Sequence, residues 1–262
     1  MARSVAEVQP AAAPALHAER LAALRRIAIV PALNEERSIA RVIAEIRAHD
    51  PEFEIVVVDD GSTDRTAAVA RQAGAQVVPL PFNLGIGGAV QAGYQYAVER
   101  GFDIAVQVDG DGQHDPGELP KIIAPLIDGE ADVVIGSRFA REQGYRAPLG
   151  RRLGMHVFSM LLSVIARQRL TDTSSAFRAF NRRSLTLFAR EYPHGFLETV
   201  EATVLATKHG LRLKEVPVRM RPRESGTSSL TVFVSLFYAA KVLVAVFVSL
   251  FRRSVVHREE ER

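Results

Sequence analysis

The chain contains no cysteine. That excludes disulfide staples, thiolate metal sites and a cysteine nucleophile, and it suits a reducing compartment. A strong charge bias is missing as well. The formal net charge is only +3, and no basic stripe alternates with aromatic residues, so no nucleic-acid partner is expected. Nor does the start of the chain read as a secretory signal. The first 26 residues are rich in alanine, with Pro10 and Pro14, but His17, Glu19 and Arg20 interrupt any apolar run. They read as a flexible tail with a short helix near 15–25, and no export is implied. Internal repeats are absent, and low complexity is confined to that tail. What remains is a chain of 262 residues, 47% hydrophobic and 24% charged, which is long enough for one large α/β core.

From Ile27 onward short apolar runs alternate with helical periodicity, the pattern of a mostly parallel sheet wrapped by helices. The expected strands are 27–30, 54–58, 76–79, 103–108 and 132–135. Helices are expected near 36–48, 63–73, 86–100 and 117–128. Ligands of such sheets bind beyond the carboxyl ends of the strands. Four polar segments should therefore converge: 31–35, 59–64, 109–115 and 136–138. After residue 140 the pattern changes. A basic turn (Arg138, Arg141, Arg146, Arg151, Arg152) leads to an apolar helix near 153–166. The polar stretch 172–181, a helix near 196–209 and a strand at 211–218 follow.

The sharpest motif is Asp109-Gly110-Asp111-Gly112-Gln113-His114-Asp115. Residues two apart on an extended segment point the same way, so Asp109 and Asp111 can face one ligand. Two carboxylates that close repel unless a cation or water intervenes, and Mg²⁺ or Mn²⁺ suits such oxygen donors. A solvated turn is the plainer alternative. Asp59 and Asp60 end a second apolar strand, with Ser62 or Thr63 available to cap the next helix. Turn duty alone would also explain those two acids. Asn83-Leu84-Gly85-Ile86-Gly87-Gly88 opens a helix and lets backbone approach phosphate or sugar. It lacks the lysine and spacing of a P-loop.

Taken in order, 29–36, 58–64, 83–85, Asp109-Gly110-Asp111 and Gly136-Ser137-Arg138 resemble the family-two inverting glycosyltransferases with the GT-A fold. Within them, Asp172-Thr173-Ser174-Ser175-Ala176-Phe177-Arg178 and the loop 223–229 resemble the polyprenyl-phosphate, dolichyl-phosphate mannose synthase-like branch. The resemblance covers residues 27–229, which would form one GT-A domain. It implies that Pro31, Leu33, Glu35, Val58, Asp60 and Gly110 surround a UDP-, GDP- or dTDP-linked sugar. Asp109 and Asp111 would hold metal and diphosphate, helped by Gln113. Arg138 and Arg223 would pair with phosphate, as planar guanidinium groups do. Arg178 would meet the acceptor phosphate, with a surface salt bridge as its plainer role. Ser229 stands where relatives often carry lysine, and Ser175-Ala176 replaces the commoner Ser-Gly.

The implied chemistry is a single displacement with inversion at the sugar C1, and Asp111, Asp172 and Arg178 are its catalytic candidates. A metal would stabilise charge on the departing diphosphate. A lipid-phosphate acceptor is already ionised near neutral pH, so Asp172 would orient Arg178 and its neighbours rather than act as a base. With a hydroxyl acceptor it would be the base. His114 would support the site from behind or lie in solvent. Residues 230–251 are nearly free of charge and long enough to span a bilayer, yet Lys241 sits at their middle. Small and polar residues recur along them at spacings of three and four. A membrane- or partner-associating helix over 230–253 is therefore expected, ahead of a charged tail, 254–262. This describes a cytoplasmic enzyme of the cell envelope, peripheral at the inner face of the membrane or bound to a small membrane protein. Three rivals stand beside that reading. One is a soluble glycosyltransferase with a small or saccharide acceptor. Another is a sugar nucleotidyltransferase, which would need a basic Gly-rich loop after the first strand. The third is a membrane scaffold with a dead transferase domain.

Overall fold

The computed structural model describes residues 12–139, 168–194 and 198–221, with Ser159, Met160, Leu162, Ser163 and Ala166 between them. Arg141, Arg146, Arg151, Arg152, Arg223, the loop to Ser229 and the apolar segment 230–251 lie outside the described residues. In chain order the elements are α1 (Ala12–Ala23), β1 (Arg26–Ala32), α2 (Ile39–His49), β2 (Glu54–Asp59), α3 (Thr66–Gln72) and β3 (Gln76–Pro79). Then come α4 (Gly85–Glu99), β4 (Ile104–Gln107), a 3-10 turn (Pro116–Glu118), α5 (Leu119–Ile127) and β5 (Val133–Ser137). The last are β6 (Arg178–Asn181), α6 (Arg182–Glu191), α7 (Glu198–Lys208) and β7 (Leu213–Pro217).

The strands form one sheet in the order β3-β2-β1-β4-β6-β5-β7. All pairings are parallel except those of β6, which runs antiparallel between β4 and β5. The expected mostly parallel α/β sheet is therefore present. Neither β6 nor α6 was anticipated from the sequence.

Both sheet faces are covered, which is why β1 and β2 read as unbroken apolar runs. Ala28, Val30, Ile55 and Val57 enter the core under α2 and α5. Their neighbours Ile27, Ile29, Val56 and Val58 enter the core under α4 and α6. Helix α4 lies close on the sheet because Gly93 has no side chain: a Cβ there would stand 2.3 Å from Ile29 Cγ2.

Away from the carboxyl ends of the strands, Asp132 ties β5, β6 and β7 together. Its buried carboxylate accepts from Arg212 N (2.8 Å), Arg212 Nη2 (3.1 Å), Asn181 Nδ2 (2.8 Å) and Arg183 Nη1 (3.3 Å). Burial alone would raise its pKa. The bonds from Arg212 and Asn181 outweigh burial and bring it from 3.8 to about 2. A depressed carboxylate stabilises the fold above its unfolded pKa and loses that contribution as pH falls towards 2. Asp132→Asn is thus expected to lower stability by about 2 kcal/mol at pH 7. Urea melts of both proteins should converge below pH 4, and a gap unchanged from pH 7 to pH 3 would contradict the assignment.

Candidate active site

The central strand β1 sets the geometry. Its partners β2 and β4 lie on either side, in the registers Pro31↔Val58 and Ile29↔Gln107. Asp60 and Asp109 consequently emerge on the two flanks of the β1 carboxyl end. Backbone bonds lock the loops in place: Asp60 N donates to Ala32 O at 2.9 Å, and Gly110 N to Pro31 O at 3.3 Å.

On the β2 side the loops are knitted by side chains. Asn34 takes a left-handed backbone (φ 57°). Its N–H donates to Ser62 Oγ at 2.9 Å, and its Oδ1 accepts Thr63 N at 2.8 Å. Ser62 and Thr63 therefore bind the first loop instead of capping α3, which corrects the sequence expectation. Thr66 N is received by Asp64 instead, at 2.9 Å. Both acids at the end of β2 are buried and occupied. Asp59 accepts Ser62 N (3.1 Å), and Asp60 accepts Leu84 N (2.7 Å), anchoring the start of α4. Glu35 is fastened through its N–H to Thr66 Oγ1 (2.8 Å), and its carboxylate receives Ser38 Oγ (2.8 Å).

Of the residues expected around a nucleotide, Leu33 is exposed and Glu35 half-buried, whereas Pro31 and Val58 are buried in the sheet. The expectation for Val58 is corrected here. Its side chain faces α4, with Cγ2 3.4 Å from the Cβ position of Gly93, so it packs the core.

The D-x-D loop follows β4. Asp109 is partly exposed, and its N–H donates to His114 Nδ1 at 3.0 Å. That acceptor role leaves the proton of a neutral imidazole on Nε2, which lies 3.6 Å from Asp109 Oδ2. His114 is buried and stacks on Phe177, with ring centroids 4.7 Å apart, so it supports the loop from behind. Asp111 Oδ1 accepts Gln113 N at 3.0 Å. Among the described residues no three His, Cys, Asp or Glu side chains gather into a closed metal cage. Two carboxylates at an open strand end instead fit a hard cation that keeps positions for phosphate oxygens and water.

Asp172 and Arg138 form a bidentate pair, Nε–Oδ2 at 2.7 Å and Nη2–Oδ1 at 2.8 Å. Arg138 N and Ser174 Oγ also donate to this fully buried carboxylate. Asp172 thus orients Arg138, not Arg178. Glu215 on β7 accepts the N–H groups of Thr171 and Asp172 and fixes the turn.

Arg178 is the main correction. Its guanidinium is sealed inside the protein, 1% exposed, and donates to Ser175 O (2.8 Å), Thr173 O (2.9 Å) and Thr203 Oγ1 (3.2 Å). It is neither a surface salt bridge nor an open phosphate contact, because an inward-facing position on β6 puts it under the 172–175 turn. Burial lowers its pKa, and Tyr192, Tyr94, Glu198 and Asp172 oppose that shift.

Several residues near this cluster escaped the sequence reading. Glu198, at the start of α7, is nearly buried, and burial pushes its carboxyl up to about 7. Gln107 reaches Asp109 Oδ1 at 3.5 Å and receives the fully buried Tyr94 hydroxyl at 3.4 Å. A glutamine inside the run Ile104-Ala105-Val106-Gln107-Val108 was a visible signal. For Glu198 there was none.

The glycosyl transferase family 2 profile matches residues 27–188. An undecaprenyl-phosphate mannosyltransferase of Micrococcus luteus is 32% identical over 79% of this chain and 88% of its own length. A UDP-N-acetylglucosamine–dolichyl-phosphate N-acetylglucosaminyltransferase of Methanococcus voltae is 31% identical over 73% and 83%. Among solved structures, a Mycobacterium tuberculosis glucosyl-3-phosphoglycerate synthase, in complex with Mn²⁺, UDP and phosphoglyceric acid, superposes with TM-score 0.67. It is 23% identical, with 89% of this chain and 80% of that one covered, a likeness of fold that matches the expected GT-A architecture. A family match over more than half of the chain, on this sheet and these loops, makes the protein a glycosyltransferase of family 2.

Proposed function

We propose that the protein is a metal-dependent, inverting glycosyltransferase that moves a sugar from a nucleotide-sugar to a polyprenyl phosphate at the cytoplasmic face of the membrane. The observation that carries the acceptor is the state of Asp172. Both its oxygens are taken by Arg138 and Ser174, so it is poorly placed to remove a proton. A phosphate oxygen is already ionised and needs no such base. The relatives named for undecaprenyl and dolichyl phosphate support the same acceptor.

In this reading Leu33, Glu35 and Asp60 border the nucleotide, with Pro31 and Gly110 supplying backbone. Asp109 and Asp111, with Gln113 beside them, would hold Mg²⁺ or Mn²⁺, which supplies charge stabilisation at the diphosphate. Arg138, oriented by Asp172, is assigned to phosphate, and so is Arg223, two residues beyond the last described one. Arg178 stiffens the turn that carries Asp172. The segment 230–251 would bring the enzyme to lipid or to a small membrane protein. Among the described residues no helix is long and apolar enough to cross a membrane.

A second reading rests on Glu198. A carboxyl raised to about 7 by burial is suited to accept a proton from a hydroxyl, which would favour a saccharide or small-molecule acceptor. Transfer assays separate the two. Full-length protein with Mn²⁺ and UDP-, GDP- or dTDP-sugars is expected to glycosylate a long-chain prenyl phosphate in liposomes at least about 100-fold faster than free saccharides. Truncation after Ser229 should abolish that transfer while sparing slow donor hydrolysis. Transfer to saccharides alone, unaffected by truncation, would replace the lipid reading with the hydroxyl one.

A further inference from the structure

The segment after β7 leaves the sheet and crosses to the D-x-D loop. Val218 N still extends the β7–β5 pairing, donating to Ser137 O at 3.0 Å. Two residues later Met220 forms an antiparallel bridge with His114, and Arg221 N donates to Gln113 O at 2.8 Å. The Arg221 guanidinium then divides between two acids. Nη1 meets Glu45 Oε2 on α2 at 2.6 Å, and Nη2 meets Asp115 Oδ1 at 3.0 Å. The same Asp115 oxygen accepts Gly117 N at 3.1 Å and caps the 3-10 turn. Gln113 is therefore held from both sides, by the Asp111 carboxylate on its N–H and by Arg221 on its carbonyl.

We propose that Arg221 is a positioning residue that fixes the far end of the Asp109–Asp115 loop against α2 and against the segment running on to Arg223. The inference rests on the reading of Asp109 and Asp111 as metal and diphosphate ligands. Half-exposed ion pairs add little to global stability, so three segments meeting on one guanidinium act on geometry. A carboxylate displaced by about an ångström loses much of its grip on a cation or a transition state.

The guanidinium can be removed without disturbing the backbone bond. In Arg221→Met the Mn²⁺ concentration that half-saturates nucleoside-diphosphate binding should rise about five- to tenfold, read by calorimetry. The probe is whichever of UDP, GDP and dTDP raises the melting temperature most. The metal-free melting temperature should stay within about 2 °C of wild type. Arg221→Lys, able to reach one acid at a time, should fall between. Asp115→Asn should weaken Mn²⁺-dependent binding similarly, and the double variant Arg221→Met, Asp115→Asn should be no worse than either single one. Lys214→Met, which cuts the exposed Lys214–Glu130 pair on β7, should change none of these readings.

Wild-type half-saturation in Arg221→Met, or fully additive losses in the double variant, would overturn the clamp alone. So would a melting temperature that drops in step with binding. A wild-type protein that binds no nucleotide through Mn²⁺ would overturn the metal reading and the clamp with it.

Discussion

Replacing Asp111 with asparagine is expected to lower kcat/KM for sugar transfer by about 10³-fold, a loss of about 4 kcal/mol of transition-state stabilisation. Asparagine keeps the shape of the side chain and an oxygen for the bond now made by Gln113 N. What it removes is the negative charge. With two carboxylates offered to a metal at this strand end and no third acid closing a cage among the described residues, each charge would be a large share of what holds a cation there. Asp109→Asn is expected to cost less if that residue meets the metal through water. Steady-state rates across an Mn²⁺ titration, with melting curves as the folding control, measure both. More than a tenth of wild-type activity in Asp111→Asn would contradict the assignment. So would metal-dependent nucleotide binding that survives Asp109→Ala, Asp111→Ala.

Arg178→Met should produce the largest loss of stability, about 3–5 kcal/mol, from buried acceptors left unsatisfied at about 1–3 kcal/mol each. The methionine fills most of the space but donates nothing. It leaves Thr173 O, Ser175 O and Thr203 Oγ1 without the guanidinium, and it strips a cation from the surroundings of Glu198. For a chain of this size the melting temperature should fall by about 10 °C. Donor affinity of the folded fraction should remain near wild type, because Arg178 bonds to Thr173, Ser175 and Thr203 and to none of the side chains assigned to the donor. Arg178→Lys should recover only part of the loss, since one ammonium cannot serve three separate acceptors. If Arg178→Met melts within about 2 °C of wild type and raises only the acceptor KM, direct contact with the acceptor is restored as its role.

The parallel part of the sheet was legible because β1, β2, β4 and β5 are buried on both faces and each run ends in polar residues. Strand β6 carried no such mark. It has four residues, starts on a buried arginine and ends on an asparagine that caps α6 through Ser184 N. Its register comes from the two neighbouring strands, and local pattern does not encode that. Helix α6 opens with Arg182-Arg183-Ser184, and its apolar stripe of Leu185, Phe188 and Ala189 is short. The site acids were legible for a related reason: motif spacing puts Asp60, Asp109 and Asp111 at strand ends. Spacing says nothing of which charge is already paired. Asp172 meets Arg138 across 34 positions, and the burial of Arg178 depends on a threonine 25 positions away. An arginine beside polar motifs reads as a surface group until its acceptors are known.

The antiparallel return of β6 has a consequence for how such enzymes diverge. Between β5 and β6 the chain makes one long excursion, and both its ends are stapled at the site. Gly136 N donates to Phe177 O at 2.8 Å, and Arg138 grips Asp172. Inside the staple the chain meets β7 again before it returns: Gln168 Nε2 donates to Leu213 O at 3.1 Å, and Glu215 accepts Thr171 N. Doubling the length of a loop with fixed ends costs only about 0.6 kcal/mol of closure entropy. Changes of length ahead of Ser159 are therefore expected to leave β4, β6 and β5 paired as before. Length can vary within the excursion while the Arg138–Asp172 pair and the contacts with β7 keep its ends in place.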